Sequence, residues 1–82
     1  MKEENFHQMM AEWCAIAWEN DQRKPNLKLV KDKMNKIAKM FGVEKKFSME
    51  QVKKVLKHGE DIASSFSKRY VIKKTKELLK LE

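Results

Sequence analysis

Four cations near the carboxyl end of the chain have a spacing that suggests a common chemical role. They are Arg69, Lys73, Lys76 and Lys80, separated by four, three and four residues. On an α-helix these intervals place the four side chains in one stripe along one face. Such a stripe matches the phosphates of a nucleic-acid backbone. The alternative interpretation is a solvated face whose charges keep the protein in solution.

Charge is divided unevenly along the 82 residues of the chain. Residues 1–21 carry one lysine against five acidic side chains, a net charge of −4. Residues 22–82 carry 18 basic groups against 7 acidic ones, a net charge of +11, and the two values recover the formal net charge of +7. A basic body of this kind attracts polyanions, nucleic acid above all. The composition therefore predicts a class of partner and not a reaction.

The sequence contains no motif that predicts catalysis or a bound metal. Gly42 and Gly59 are the only glycines, so there is no glycine-rich phosphate loop. The serines of residues 64–67 form no nucleophile–base pattern. His7 and Cys14 lie on one side of a predicted helix, but a zinc site needs three or four ligands. We therefore predict a protein that is not an enzyme, with no cofactor, no metal and no small-molecule substrate.

The composition favours helices throughout the chain. Only two glycines and one proline are present, whereas lysine, glutamate, methionine, leucine and alanine form helices well. The length indicates one domain, residues 1–82, with a small core. The single cysteine excludes an intrachain disulfide and favours the cytoplasm, and no apolar run reaches the roughly 18 residues that a membrane span needs. We expect an all-α, compact bundle of four to five short helices.

Apolar spacing and capping residues predict where these helices begin and end. The expected ranges are 2–20, 27–41, 49–58, 60–66 and 68–81. Asn26, Ser48 and Ser67 are expected N-caps, and the two glycines are expected to end the second and third helices.

Residues 60–81 leave two alternatives open. One long helix is compatible with the composition, but the apolar residues before and after the serine cluster point in nearly opposite directions. This change of phase predicts a kink or break near residues 65–68. A short strand at residues 70–72 is a further alternative, because tyrosine, valine and isoleucine favour β structure.

The first predicted helix carries an apolar arc over about half of its circumference, wider than the roughly 100° of a surface helix. Trp13 lies within the arc, Cys14 and Trp18 lie at one edge, and Ile16 lies at the other. We expect this helix to be the central one, with Cys14 as a small core residue. The alternative is that Trp13, Ile16 and Trp18 contact a protein partner or a second copy of the chain.

Residues 37–56 combine two helical runs with a glycine between them. The runs IAKMFGV and SMEQVKKVL place a small residue at Ala38, a turn glycine at Gly42 and a branched apolar residue at Val52. This pattern resembles the helix-turn-helix of DNA-binding regulators, although the interval from Gly42 to Val52 is about four residues longer than the tight motif. The resemblance implies that the third helix is a recognition helix. Its base-reading and phosphate-contacting residues would be Gln51, Lys53, Lys54 and Lys57.

The sequence predicts two alternative functions, one in nucleic-acid binding and one in protein–protein interaction. The first is a small regulatory or accessory protein that binds nucleic acid, most simply duplex DNA. The second is a helical protein–protein interaction module or inhibitor, dimeric through the first helix. A basic amphipathic helix also suits an anionic membrane, but the last helix lacks Trp or Phe on its apolar face, so no membrane partner is predicted. The two leading functions are compatible, since helical DNA-binding proteins commonly dimerise.

Overall fold

The computed structural model describes residues 2–81, which form four α-helices and no strand. The helices are α1 (Glu3–Asn20), α2 (Leu27–Met40), α3 (Met49–Ala63) and α4 (Lys68–Leu79). The predicted all-α bundle is confirmed, and its radius of gyration of 11.5 Å is close to the roughly 12 Å expected of a compact chain of this length. The alternative strand at residues 70–72 is wrong, because these residues lie within α4.

Hydrogen bonds confirm the predicted N-caps. The side chain of Asn26 accepts the backbone N–H three residues later at 3.1 Å, and that of Ser67 does the same at 3.2 Å. Ser48 and Gln51 form a reciprocal capping box, with bonds of 3.2 and 3.4 Å between each side chain and the other's backbone N–H. Gly42 follows α2 with a φ of 75°, the left-handed conformation in which glycine ends helices at little cost.

The third helix does not end at Gly59, so that prediction is wrong. α3 continues to Ala63, and the predicted helices 49–58 and 60–66 are largely one helix. Gly59 is explained by packing instead of by a turn. A Cβ atom at this position would lie 2.9 Å from Cγ2 of Ile16 and 3.2 Å from the backbone nitrogen of Ala17. The glycine therefore allows α1 and α3 to approach closely.

The predicted break near residues 65–68 is confirmed. α3 ends at Ala63 and α4 begins at Lys68, with Ser67 as its N-cap. This break lets each helix turn its own apolar face inward, which resolves the change of phase seen in the sequence. Ile62 of α3 and Val71 of α4 are both fully buried.

The core takes residues from all four helices and from the connection between α2 and α3. Its buried apolar members are Met9, Trp13, Ile16, Val30, Met34, Ile37, Ala38, Phe47, Val52, Val55, Leu56, Ile62, Val71 and Leu79. Cys14 was expected among them, but its side chain is exposed. The buried face of α1 is centred on Met9, Trp13 and Ile16, and Cys14 lies about 130° around the helix from that centre.

α1 lies between α2 and α3, as expected for the central helix. α2 runs back along α1, because the backbone N–H of Asn26 donates to Oε1 of Glu19 at 2.8 Å and Lys33 pairs with Glu12 at 3.2 Å. The Glu12 carboxylate is almost completely buried. It also accepts a hydrogen bond of 3.1 Å from the amide of Gln8. Both hydrogen bonds to this carboxylate end on Oε1. Oε2 is buried and accepts no hydrogen bond from the described residues, and only the charge of Lys33 compensates it.

α4 packs mainly against α3. Its buried face, formed by Val71, Thr75 and Leu79, turns the opposite face of the helix to solvent. No helix among the described residues combines the length and apolar character needed to cross a bilayer.

Candidate nucleic-acid interface

The predicted cationic stripe of α4 lies at the surface of the bundle. Arg69, Lys73 and Lys80 are exposed, and Lys76 is half-buried. The ammonium group of Lys76 lies 5.8 Å from the centroid of the Phe41 ring. A cation over an aromatic face gains about 0.5–1 kcal/mol at an exposed site. Three members of the stripe are therefore solvated, and the fourth is held against the end of α2.

A shallow groove of about 550 Å³ runs along this side of α4. The residues that line it are Lys68, Arg69, Ile72, Lys73 and Lys76. Among the described residues, no acidic side chain lines the groove, and Ile72 supplies its apolar surface. A surface lined by charges of one sign attracts ligands of the opposite sign. The groove is thus suited to a polyanion whose phosphates contact cations while its sugars contact carbon.

Sequence reasoning missed Lys68, which the structure adds to the groove. Its ammonium group lies 5.2 Å from the centroid of the Phe6 ring, near the start of α1. The sequence does contain an indication that Lys68 lies on the groove side of α4. Residues 68, 72 and 76 are four residues apart and so share one flank of a helix. Counting helical turns from Arg69 selects residues 73, 76 and 80 and leaves out Lys68.

Lys80 does not belong to the groove. α4 ends at Leu79, and Lys80 adopts a left-handed conformation with a φ of 52°. The next backbone N–H, that of Leu81, returns to the carbonyl of Lys76 at 3.0 Å. Lys80 is therefore a helix-ending residue, and the stripe stops one turn earlier than the sequence predicted.

The opposite flank of α4 faces α3 and carries compensated charge. The hydroxyl of Tyr70 donates a hydrogen bond of 2.5 Å to Oδ2 of Asp61 on α3. This bond raises the pKa of Tyr70 above its ordinary value of 10.0, because it favours the neutral hydroxyl. Lys74 lies 5.8 Å from the Tyr70 ring centroid and pairs with Glu77 at 3.5 Å. Within residues 2–81, the cations of α4 that form no ion pair are therefore on the groove side.

The three predicted lysines of α3 are Lys53, Lys54 and Lys57, and all are exposed. Lys57 precedes Asp61 by one helical turn, so this lysine face adjoins the Tyr70 flank of α4. Tyr70 and Lys76 lie about 120° apart around α4. The structure therefore does not bring the lysines of α3 into the groove.

Gln51, the predicted base-reading residue, is engaged in the structure of α3 itself. Its Oε1 accepts the backbone N–H of Ser48 at 3.4 Å as part of the capping box. The connection from Phe41 to Ser48 that precedes α3 is anchored by Phe47, which is buried. The long interval noted in the sequence is thus a packed segment, and the helix-turn-helix resemblance stays a prediction.

Two of the three predicted interface residues of α1 are not at the surface. Trp13 and Ile16 are fully buried, so the fold leaves neither side chain accessible to a partner, and this part of the prediction is corrected. Trp18 is 66% exposed. The arc was too wide for the sequence to show which of its edges the neighbouring helices cover.

A second groove of about 460 Å³ lies beside the connection between α2 and α3. Its lining includes Lys39, Glu44 and Lys45. Lys45 contacts the backbone carbonyls of Leu79 and Lys80 at the end of α4, where a cation stabilises a helix. With one lysine committed to this role and a glutamate in the lining, this groove is a weaker candidate than the one along α4.

Within residues 2–81, no group of three or more histidine, cysteine, aspartate or glutamate side chains is arranged to hold a metal ion. Comparison with family models, curated proteins and solved structures finds no match to this chain.

Proposed function

We propose that the protein binds nucleic acid, in the first instance duplex DNA, with phosphates of the backbone lying in the groove along α4. The observation that carries the proposal is the groove itself, where four cations surround one isoleucine and none of residues 2–81 that line it is acidic. The net charge of +11 on residues 22–82 adds a long-range attraction of the same sign.

The length of the groove fits this role. Lys68 and Lys76 are eight residues apart, a distance of about 12 Å along a helix. This distance equals the axial rise of about three phosphates on one strand of B-DNA. Contacts of this kind position a protein without reading bases, which suits an accessory or regulatory factor. The exposed thiol of Cys14 supports a cytoplasmic location, where thiols stay reduced.

The test is a fluorescence-anisotropy titration of a labelled duplex of random sequence at a series of salt concentrations. The slope of log affinity against log salt reports the number of phosphates contacted, at about 0.9 per phosphate. The variant Arg69→Glu/Lys73→Glu changes two exposed groove residues and should lower the slope by about two. Absence of binding by the wild type at the lowest salt, where this attraction is strongest, would refute the proposal.

A matched control separates the groove from net charge. Lys28→Glu/Lys36→Glu changes two exposed lysines of α2 and alters the net charge by the same amount. We expect this control to weaken binding much less than the groove variant. Equal losses in the two variants would show that the protein responds to total charge and not to the groove. Circular dichroism checks that both variants keep the helical content of the wild type.

The second candidate function is association with a protein partner or a second copy through α1. The observation that favours it is the exposure of Trp18, which is large, apolar and on the outer face of α1. Trp18→Ala should then dissociate the complex without lowering the thermal stability of the chain. Analytical ultracentrifugation over a range of protein concentrations tests the version in which the partner is a second copy.

A further inference from the structure

Phe66 is the most exposed large apolar side chain of the described residues. It lies in the linker between α3 and α4, and its side chain is fully exposed. Burial of a phenylalanine stabilises a folded chain, and the exposed side chain of Phe66 does not contribute this stabilisation. Its role therefore lies outside the core.

The backbone on both sides of Phe66 is held by hydrogen bonds. Ser65 Oγ accepts the backbone N–H of Ser67 at 3.2 Å, and Ser67 Oγ accepts that of Tyr70 at 3.2 Å. The backbone N–H of Ser65 donates to the carbonyl of Ile62 at 3.1 Å. The linker is thus ordered before any partner binds, which lowers the entropic cost of using its side chain in recognition.

The charge around Phe66 identifies the class of partner. Lys68 and Arg69 follow it within three residues and belong to the groove, and the first turn of α4 contains no acidic residue. Trp18 offers a contrast, because it lies in the acidic segment of residues 1–21, with a net charge of −4. The cations that follow Phe66 therefore favour a polyanion there more than at Trp18.

We propose that Phe66 is a stacking surface for an unpaired base, so that the preferred ligand is a duplex containing unpaired nucleotides beside the strand whose phosphates occupy the groove. The inference rests on the nucleic-acid function proposed above and specifies its substrate class. Every base has a π-face, so stacking on an aromatic side chain tolerates any sequence. A fully paired duplex offers no free base face to Phe66 and gains only the phosphate contacts.

The test compares two labelled ligands with the same number of phosphates, a fully paired duplex and the same duplex with a short bubble of unpaired bases. The wild type should bind the bubble at least about fivefold more tightly, and Phe66→Ala should lower affinity for the bubble by about 5- to 150-fold, the measured range for one stacked base. Affinity for the paired duplex should not change. Phe66→Leu, which keeps apolar surface without a ring, should resemble Phe66→Ala, and Trp18→Ala should resemble the wild type.

A spectroscopic measurement reports on the stacking contact itself. In the variant Trp18→Phe/Phe66→Trp, the other tryptophan is the fully buried Trp13, so the one exposed indole is at position 66. Its fluorescence should be quenched by the bubble ligand and much less by the paired duplex.

The outcomes separate this inference from the function on which it rests. If the wild type binds neither ligand at low salt, both proposals are wrong. If it binds both ligands equally and Phe66→Ala binds as the wild type does, the stacking role is refuted and the groove function stands. A dimer of the free protein that Phe66→Ala dissociates would also refute the stacking role, because Phe66 would then contact a second copy.

Discussion

The indole nitrogen Nε1 of Trp13 donates a hydrogen bond of 3.0 Å to the hydroxyl of Thr75, and both side chains are fully buried. This bond joins the first helix to the last across 62 positions of the sequence. α4 packs mainly against α3, and this bond gives α4 a buried polar contact with α1 as well. Thr75 lies on the buried face of α4 with Val71 and Leu79, so the bond helps to keep that face inward and the cationic groove at the surface.

Replacement of Thr75 by valine should destabilise the fold. Valine keeps the shape of threonine but leaves the buried indole N–H without an acceptor, which costs about 1–3 kcal/mol. Thr75→Ser keeps the hydroxyl and should cost less, about 1 kcal/mol for the lost methyl group. Urea unfolding followed by circular dichroism measures both. If the hydrogen bond were unimportant, valine would be neutral or stabilising, because it replaces a buried hydroxyl by a methyl group.

Gly59→Ala should destabilise the contact between α1 and α3. Alanine gains about 1 kcal/mol of helix propensity over glycine, but its Cβ would lie 2.9 Å from Ile16 and 3.2 Å from the backbone of Ala17. A backbone atom cannot move aside as a flexible side chain does, so the helices must separate, at a cost of about 1–3 kcal/mol. The thermal midpoint of the variant should fall below that of the wild type.

His58→Ala is the matched control for this variant, because His58 is the adjacent α3 residue and is exposed. A surface substitution of this kind should change the free energy of unfolding by no more than about 0.5 kcal/mol. If Gly59→Ala proved as stable as the control or more so, the close packing of α1 and α3 at this glycine would be contradicted.

Structural features that depend on neighbouring residues were predictable from the sequence. Features that depend on the packing of several helices were not. Asn26, Ser48 and Ser67 cap helices through bonds to residues within three positions, so their roles are visible in the sequence. Glycine suits both a helix end and a close helix contact, so its presence at position 59 did not distinguish the two. Cys14 lies at the edge of an apolar arc, and only the positions of α2 and α3 decide which edge is buried.

The same division holds for the candidate site. The exposure of Arg69 and Lys73 follows from helical phase alone. Lys80 is not part of the stripe because α4 ends at Leu79 and Lys80 has a left-handed conformation. A lysine rarely adopts this conformation, so the sequence does not indicate it. The place of Lys68 in the groove also follows from helical phase, because residues 68, 72 and 76 share one flank of α4. Its contact with Phe6 does not, because that contact depends on how α1 and α4 pack.

The titration of Tyr70 should reveal its bond with Asp61. Tyr70 is the only tyrosine, so the ultraviolet absorbance of tyrosinate reports on it alone. Its pKa should lie above 10.0 in the folded protein, because its hydroxyl donates to the Asp61 carboxylate. Asp61→Asn should lower the pKa toward the ordinary value. An identical pKa in the variant and the wild type would show that the bond does not form in solution.

The sign of the stability change follows from the same shift. Because folding raises the pKa of Tyr70, the neutral hydroxyl contributes stability that is fully present below the unfolded value of 10.0. This contribution is lost as the pH rises through the folded pKa. The dependence of urea midpoints on alkaline pH should therefore be weaker in Asp61→Asn than in the wild type.

Lys68→Gln and Lys74→Gln should differ in their effect on nucleic-acid binding, although each removes one positive charge from α4. Lys68 lines the groove, so its loss should lower the salt slope by about one phosphate contact. Lys74 lies on the opposite flank and pairs with Glu77, so its loss should leave the slope unchanged. Anisotropy titrations of a duplex at several salt concentrations measure both variants. Equal reductions would mean that phosphates contact both flanks of α4. A reduction in Lys74→Gln alone would place the nucleic acid on the flank shared with α3.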